Sequence, residues 1–233
     1  MSRKRQELAG PRQNDPTELL EVFDARGRPT GQARPRAAIH LAGDWHQAFH
    51  CWIVREGSPA REIVLQQRSP NKDTFPSHWD AAAAGHWRFG EVPDQAAREI
   101  EEELGLQVPF AALRWVGRER QARRFANGLI DREHHQVYAL VWNAPLTSYR
   151  PDPREVSGLA AVPARGLVEL LAGRRERLPA TEAVRVDPSG ALRPVPVEVG
   201  RDDLVPYSVA RLKRLLARNN RRPEVVGIGA SLN

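Results

Sequence analysis

The amino-acid sequence predicts one α/β domain. Segments with the alternating pattern of strands are interspersed with three segments that have helical periodicity. The chain has 233 residues, of which 41% are hydrophobic and 27% are charged, so it is long enough and apolar enough to bury one sizeable core. No segment repeats along the chain, which argues against a repeat architecture.

The N-terminal third of the chain is predicted to contain paired strands. Residues 1–17 are polar and contain two prolines, so we expect a flexible arm there. Two short strands are predicted within residues 19–33, around an Arg-Gly-Arg-Pro turn. Two longer strands, over residues 46–56 and 61–69, are predicted to form a hairpin because Gly57-Ser-Pro separates them.

A helix is predicted from Pro93 to Leu104. Proline suits the first helical turn, and Gly105 suits a left-handed C-terminal cap. The same reasoning predicts strands at 113–120 and 134–144, a strand end and a helix within 159–173, a hairpin within 183–199, and an amphipathic helix within 204–219.

Composition limits the class of protein. The net charge of +6 favours anionic partners such as phosphates, and it does not bear on the fold. The single cysteine, Cys51, excludes an intramolecular disulfide, and we expect it to be a small core residue. No apolar run approaches the ~18 residues of a membrane span, and the basic N-terminus lacks the apolar stretch of a secretory signal. We therefore expect a cytoplasmic protein with no membrane partner.

Four glutamates lie between Glu99 and Glu103. Because an α-helix advances about 100° per residue, Glu99, Glu102 and Glu103 share an arc of about 100°. Carboxylates grouped near the C-terminal end of a helix repel one another and oppose the helix dipole. One interpretation is a solvated acidic helix in which this repulsion is not compensated. The other is a metal site, because Mg²⁺ and Mn²⁺ prefer oxygen ligands from several carboxylates and would offset the repulsion. We therefore predict that these three glutamates are metal ligands.

The same segment resembles the Nudix box. That signature is Gly, five residues, Glu, seven residues, and then Arg-Glu-apolar-X-Glu-Glu-X-Gly-apolar. Gly85, Glu91 and residues 98–106 occupy the fixed positions, except that six residues and not seven separate Glu91 from Arg98. The resemblance implies a Nudix-type α/β/α sandwich with a mixed sheet. Because the loop is one residue shorter, the sequence does not predict where the side chain of Glu91 lies relative to Arg98.

The resemblance continues over roughly residues 19–217. The segments HLAGDWHQAFHCWIV, VLQQRSPNKDTFPSHWD and AAAAGH are similar to the Nudix branch that includes isopentenyl-diphosphate isomerase and its hydrolase relatives. Residues 174–203 lie outside the resemblance, and we interpret them as an insertion whose hairpin could support a homodimer. We therefore expect a single Nudix domain over residues 18–218 and a C-terminal tail over residues 219–233.

The isomerase branch implies a further group of metal ligands. In the isomerases, histidines at the positions of His40, His46 and His86 help to bind a metal, together with two acids in a Glu-X-Glu pattern. Glu133 matches the first acid, which puts His135 at the position of the second. The histidines are equally compatible with turn and strand-end positions.

The resemblance favours hydrolysis over isomerisation. The isomerases need a catalytic cysteine immediately before the Gly-His pair, and this chain has Ala84 there. We therefore predict a Mg²⁺-dependent hydrolase of a phosphoanhydride, with Mn²⁺ as the other candidate ion. Arg98 would steady the carboxylates by ion pairing. The general base stays open among Glu99, Glu133 and Glu155.

The predicted substrate is a small molecule with a diphosphate group, of nucleoside diphosphate type or another kind. Arg68 and Lys72 match diphosphate-contacting positions of the branch, and their guanidinium and ammonium groups suit phosphate oxygens. Two alternatives remain: an isoprenoid-diphosphate-binding protein related to the isomerases, and a non-catalytic module that binds nucleotide or RNA through the basic residues 211–222. A binding module has no need of three ligand carboxylates, so nucleic acid is not the expected partner.

Overall fold

The computed structural model describes residues 15–57 and 60–217. The predicted arm over residues 1–17 lies almost entirely outside the described residues, and the predicted tail over residues 219–233 lies wholly outside them. No helix in the described part of the chain is long and apolar enough to cross a membrane.

The described chain consists mainly of strands. In chain order these are β1 (Leu19–Phe23), β2 (Pro29–Pro35), β3 (Trp45–Arg55), β4 (Glu62–Arg68), β5 (Trp79–Ala81), β6 (Ala83–His86), β7 (Arg114–Arg124), β8 (Ile130–Val141), β9 (Val156–Pro163), β10 (Arg177–Pro179), β11 (Glu182–Val186), β12 (Leu192–Pro194) and β13 (Glu198–Gly200). The helices are α1 (Arg36–Ala42), α2 (Pro93–Ala96), α3 (Arg98–Leu104), α4 (Ala164–Leu171) and α5 (Val209–Leu216), with 3-10 turns at Phe110–Ala112 and Leu146–Ser148.

One mixed sheet organises the molecule. Its main path is β12-β11-β9-β4-β3-β1-β2; β5 joins β4, β6 joins β3, and the β7–β8 hairpin joins β3 through β8. Strands β3 and β8 run parallel, with His46 opposite Glu133. This pairing brings the beginning of β8, which is distant in sequence, to the beginning of β3.

Helices cover both faces of the sheet. On one face, α3 buries Ile100 and Leu104, and α2 buries Ala96, in the core that includes Phe49. On the other face, α4 and α5 bury Leu167 and Leu212 in a second core. The predicted α/β/α sandwich with a mixed sheet is confirmed.

The helices depart from the sequence prediction in two places. The helix expected over residues 93–104 is divided at Ala97 into α2 and α3, within the loop that is one residue short. Gly105 ends α3 in the left-handed conformation, as predicted, with φ 65°. Helix α1 was not predicted, because seven residues are too few for helical periodicity to be distinctive.

The predicted hairpin within residues 183–199 is observed. Strands β11 and β12 pair antiparallel, and β11 extends the sheet beyond β9. The remaining part of the predicted insertion forms a separate two-stranded sheet of β10 and β13. The role of this segment in a homodimer stays a prediction.

Candidate functional site

The box helix α3 lies against β6. The side chains of Glu99 and Glu103 are buried, each with 1% relative exposure. An Oε2 atom of Glu103 accepts hydrogen bonds from the backbone nitrogen of Ala84 at 2.9 Å and from Gln66 at 3.0 Å. A Cβ atom at Gly85 would collide with the carboxylate of Glu99, so only glycine allows this approach.

Arg98 connects the acids of the box. Its guanidinium contacts Glu99 and lies 2.9 Å from Glu102, as the predicted ion pairing requires. Its Nε donates to Glu91 at 2.7 Å, which settles the position that the shortened loop left open. Arg98 therefore neutralises acids on both sides of the short loop.

The three predicted glutamate ligands meet different surroundings. The Glu102 side chain is 37% exposed beside Arg98, whereas Glu103 faces Gln66. Among the described residues, Glu99, Glu102 and Glu103 do not form a group whose ligand atoms all lie within 4.8 Å of one another. Their convergence on one cation stays a prediction.

The structure brings the three predicted histidines together. His40 comes from α1, His46 from β3 and His86 from β6, and their ring centroids lie between 5.0 and 5.2 Å apart. One ring nitrogen of each lies within 4.8 Å of the others. Burial lowers the pKa of His40 to about 3, and it also lowers the pKa of His46 and of His86. The imidazoles are therefore neutral, which is the form that binds a metal.

Two carboxylates complete this histidine cluster. The Oε1 atom of Glu133 lies 3.4 Å from Nε2 of His86 and 3.8 Å from Nε2 of His46. Asp131 Oδ1 lies 3.6 Å from Nε2 of His46. Asp131 was missed by the sequence analysis, although strand periodicity places it on the same side as Glu133. His135, expected at the second acid position, instead contacts Glu133 at 2.7 Å.

The donor set of this cluster fits a divalent metal. The Nε2 atoms of His40 and His46 and the Oδ1 atom of Asp131 are buried without a hydrogen-bond partner in the described structure. Imidazole and carboxylate together suit a transition metal such as Mn²⁺ better than Mg²⁺, whose usual ligands are oxygen atoms. Mg²⁺ remains the better match to the glutamates of the box.

The two acids differ in charge. Burial and the neighbouring charge of Glu133 raise the pKa of Asp131 well above its usual range. Burial alone would raise the pKa of Glu133 as well, but His135 and His86 hold it well below its usual range. Without a metal, the cluster thus holds its negative charge mainly on Glu133.

A cleft opens beside the cluster. His40, His86, Asp131 and Glu133 form part of its wall. Four cationic side chains also line it: Arg36, Arg68, Lys72 and Arg123. This combination of positive charge and potential metal ligands suits a polyanionic substrate.

The two residues predicted to bind the substrate, Arg68 and Lys72, both line this cleft. Arg68 donates to Asp80 at 2.8 Å, which fixes the plane of its guanidinium. Lys72 contacts Glu155 and lies 3.9 Å from Glu103. The carboxylates of the box do not themselves line the cleft. Glu103 contacts two residues that do line it, Lys72 and Ala84.

Two further cations of the cleft were not found from the sequence. Arg36 begins α1 and Arg123 lies in β7, so both are remote from the box in the chain. Neither belongs to a motif, and only the packing of α1 and β7 around the cleft brings them together.

The thiol is remote from this chemistry. Cys51 is fully buried, as predicted, and burial raises the pKa of its thiol. It pairs with Ala83 across β3 and β6, whereas Ala84 faces the cleft. The cleft wall therefore carries a methyl group at the position where an isomerase would carry its cysteine.

A glutamate-rich helix and a cationic cleft in an α/β/α fold suit an enzyme that acts on a phosphate-bearing substrate. The NUDIX domain matches residues 44–183, and the chain belongs to this family. It is a Nudix hydrolase.

Individual relatives agree with this assignment. The chain is 31% identical over 199 residues to an uncharacterised Nudix hydrolase of Clostridium acetobutylicum, covering 85% of this chain and 95% of the relative. It is 33% identical over 152 residues to the isopentenyl-diphosphate Delta-isomerase of Streptomyces coelicolor, covering 65% and 74%. The crystal structure of DR0079 from Deinococcus radiodurans is similar in fold, with a TM-score of 0.51 at 22% identity, covering 67% of this chain and 90% of that one.

Proposed function

We propose that the chain hydrolyses a phosphoanhydride bond of a small diphosphate substrate, of nucleoside diphosphate type or another kind, with the help of a divalent cation. The observation that carries the proposal is the cleft, in which four cationic side chains lie beside three neutral histidines and two acids. Positive side chains hold the phosphates, and the histidine–acid group supplies ligands for the cation.

Substrate binding is assigned to the cationic wall. Arg68 is pre-oriented by Asp80, so its guanidinium can donate hydrogen bonds to phosphate oxygens with little loss of side-chain freedom. Lys72 provides a point charge at the boundary between the cleft and Glu103. Arg36 and Arg123 extend the positive surface around the rest of the cleft.

The metal ligands are assigned to two neighbouring groups. His40, His46 and His86 with the two acids of β8 hold one cation, and the glutamates of α3 hold Mg²⁺ or Mn²⁺. A divalent cation, when bound, supplies neutralisation of the diphosphate charge and activation of water. Arg98 holds the glutamates in place while the substrate enters.

The same geometry favours some of the candidates for the general base over others. The carboxylate of Glu133 is ionised and faces the histidines, which favours a role as a ligand. A low pKa also makes it a weak base. The Glu99 carboxylate packs against Gly85, which lines the cleft. Glu155 forms an ion pair with Lys72, which also lines the cleft. Glu155 and Glu99 are therefore the remaining candidates.

A panel of diphosphates, assayed with Mg²⁺ and then with Mn²⁺ for release of phosphate or monophosphate, tests the proposal. Glu102→Gln and Glu103→Gln should each reduce turnover by more than about 100-fold, because loss of an outer partner alone costs 10–100-fold. Glu101→Gln is the matched control, since Glu101 lies on the same helix and contacts Gln107 away from the cleft. Unchanged turnover in both test variants would remove the box glutamates from the metal site.

Isoprenoid diphosphates belong in the same panel. The similarity to an isomerase and the presence of the histidine cluster favour binding of such a substrate. Isomerisation is not expected, because Ala84 offers no group for proton transfer. Appearance of the double-bond isomer would reverse this assignment, and release of monophosphate would support hydrolysis.

A further inference from the structure

A buried arginine of the last described helix reaches the metal-ligand cluster from behind. Arg211 in α5 is 2% exposed, and its Nη2 lies 2.7 Å from Nδ1 of His135. Its other contacts are Glu119 at 2.6 Å and the ring of Tyr207, whose centroid is 4.4 Å from the guanidinium carbon. A charge buried this deeply is costly unless it is paired, and Glu119 provides the pair.

These contacts fix the tautomer of His135. A guanidinium has only donors, so Nδ1 of His135 must accept the hydrogen bond and carries no hydrogen. With no hydrogen on Nδ1, the ring carries its hydrogen on Nε2, which donates to Oε2 of Glu133 at 2.7 Å. The other oxygen, Oε1 of Glu133, is left facing His86 at 3.4 Å.

We propose that Arg211 is a positioning residue of the active site: by fixing the tautomer of His135, it holds the carboxylate of Glu133 toward the histidine cluster. The tautomer assignment stands on hydrogen-bond geometry alone. Its consequence for metal binding rests on the proposed function.

The fold holds Arg211 in this position. Its backbone nitrogen donates to the N-cap side chain of Ser208 at 3.1 Å, so the arginine lies in the first turn of α5. At the other end, Arg61 donates to the carbonyl of Leu216 at 2.7 Å and Arg114 donates to that of Leu215 at 2.5 Å. Because both ends of α5 are anchored, the guanidinium of Arg211 is held beside His135.

A purely structural role is the competing explanation. Arg211 also ties α5 to the β7–β8 hairpin through Glu119, and that tie alone could explain its burial. The chain offers a matched control, because Arg214 on the same helix contacts the same Glu119 and is much more exposed. A structural tie predicts similar behaviour of variants at both positions, whereas positioning of His135 predicts an effect at Arg211 alone.

The first test reads the tautomer directly. Side-chain ¹H–¹⁵N correlation spectra of the full chain, assigned with His135→Gln, should show hydrogen on Nε2 and none on Nδ1 of His135. In Arg211→Met that preference should be lost, and in Arg214→Met it should persist. Hydrogen on Nδ1 in the wild type, or an unchanged tautomer in Arg211→Met, would overturn the proposal.

The second test measures binding of Mn²⁺ alone by titration calorimetry. Arg211→Met should weaken the affinity roughly 10- to 100-fold, the usual cost of losing an outer partner of a metal ligand. Arg214→Met should leave it unchanged. Arg211→Lys keeps the charge beside Glu119 and should give an intermediate affinity for Mn²⁺. This variant provides a measurement if Arg211→Met does not fold. Equal affinity in the wild type and in folded Arg211→Met would overturn the positioning role.

The two proposals can fail separately. Absence of Mn²⁺ binding in the wild type would remove the histidine cluster from the proposed function, and the tautomer spectra would still decide the role of Arg211. A changed tautomer with unchanged Mn²⁺ affinity would contradict the link from His135 to Glu133.

Discussion

Glu102 and Glu103 are neighbours in the chain, yet their carboxylates have different chemistry. The first is partly exposed and paired with Arg98, and the second is buried against Gln66 and the backbone of β6. Helical geometry places them on one face, but the surrounding elements decide which one is solvated. The role of each residue therefore depends on the atoms that β6 and the neighbouring loops provide.

Gly85→Ala tests the close contact between β6 and α3. The added methyl group would meet the Glu99 carboxylate, so we expect a loss of about 1–3 kcal/mol in the free energy of unfolding, as for other overpacked sites. Turnover should fall as well, because Glu99 must move. Gly57→Ala, where no atom lies within 4 Å of the new methyl group, is the control for urea unfolding. Equal stability of the two variants would show that Glu99 does not need the glycine.

The sequence predicted His40, His46, His86 and Glu133 of the histidine–acid cluster but not Asp131. Side chains two apart on a strand share a side, so Glu133 could pair with the acid before it or with His135 after it. The parallel register of β8 on β3 decides the matter, because it carries Asp131 to His46 and leaves His135 to Arg211. That pairing is not local, and no pattern within β8 contains it.

At the level of elements, the predicted hairpins and long strands are observed, whereas α1, β5 and β6 were not predicted. Strand patterns and turn signals predicted β1 to β4, β7, β8, β11 and β12, whereas β5 and β6 have only three and four residues and α1 has only seven. These short elements are the ones that carry His40 and His86 to the cleft. Their conformation follows from packing against the sheet, which propensity does not encode.

Helix α5 gives an element-scale prediction. The last carbonyls of a helix lack intrahelical partners, and Arg114 supplies one for Leu215. Arg114→Met should therefore lower the free energy of unfolding by about 1 kcal/mol. Amide hydrogen exchange in α5 should become faster.

The control lies on the same strand. Arg124 in β7 is exposed, and Arg124→Met should leave both urea unfolding and exchange in α5 unchanged. If both variants lost equal stability, the capping contact of Arg114 would not be the cause.

For the whole molecule, the sequence was sufficient for the fold class and the family but not for the location of the cleft. The box and the alternation of strands predicted a sheet between helices, and the two cores on opposite faces agree. The cleft is built from α1, β3, β4, β6, β7 and β8 together. Its position is a property of the assembled sheet, so the cations Arg36 and Arg123 became recognisable only in three dimensions.

The proposed binding of a metal has a consequence for the stability of the whole domain. An ion that binds only the folded state at about 100 times its dissociation constant adds about 2.7 kcal/mol. In a chain of this size each kcal/mol raises Tm by roughly 2–4 °C, so saturating Mn²⁺ should raise Tm by roughly 5–10 °C, reversed by a chelator. Thermal unfolding followed by circular dichroism measures the shift.

Variants then assign the shift to one of the two ligand groups. Three neutral imidazoles, two of them buried and one half-buried, form the more complete donor set together with Asp131 and Glu133, whereas Glu102 is partly exposed. His46→Gln should therefore abolish most of the Mn²⁺-induced shift, and Glu102→Gln should retain it. A shift that persists in His46→Gln and disappears in Glu102→Gln would instead place the tight cation on the box helix. The histidines would then be polar residues beside the cleft. The buried Nε2 atoms of His40 and His46, which have no hydrogen-bond partner among the described residues, would need another partner, such as the substrate itself.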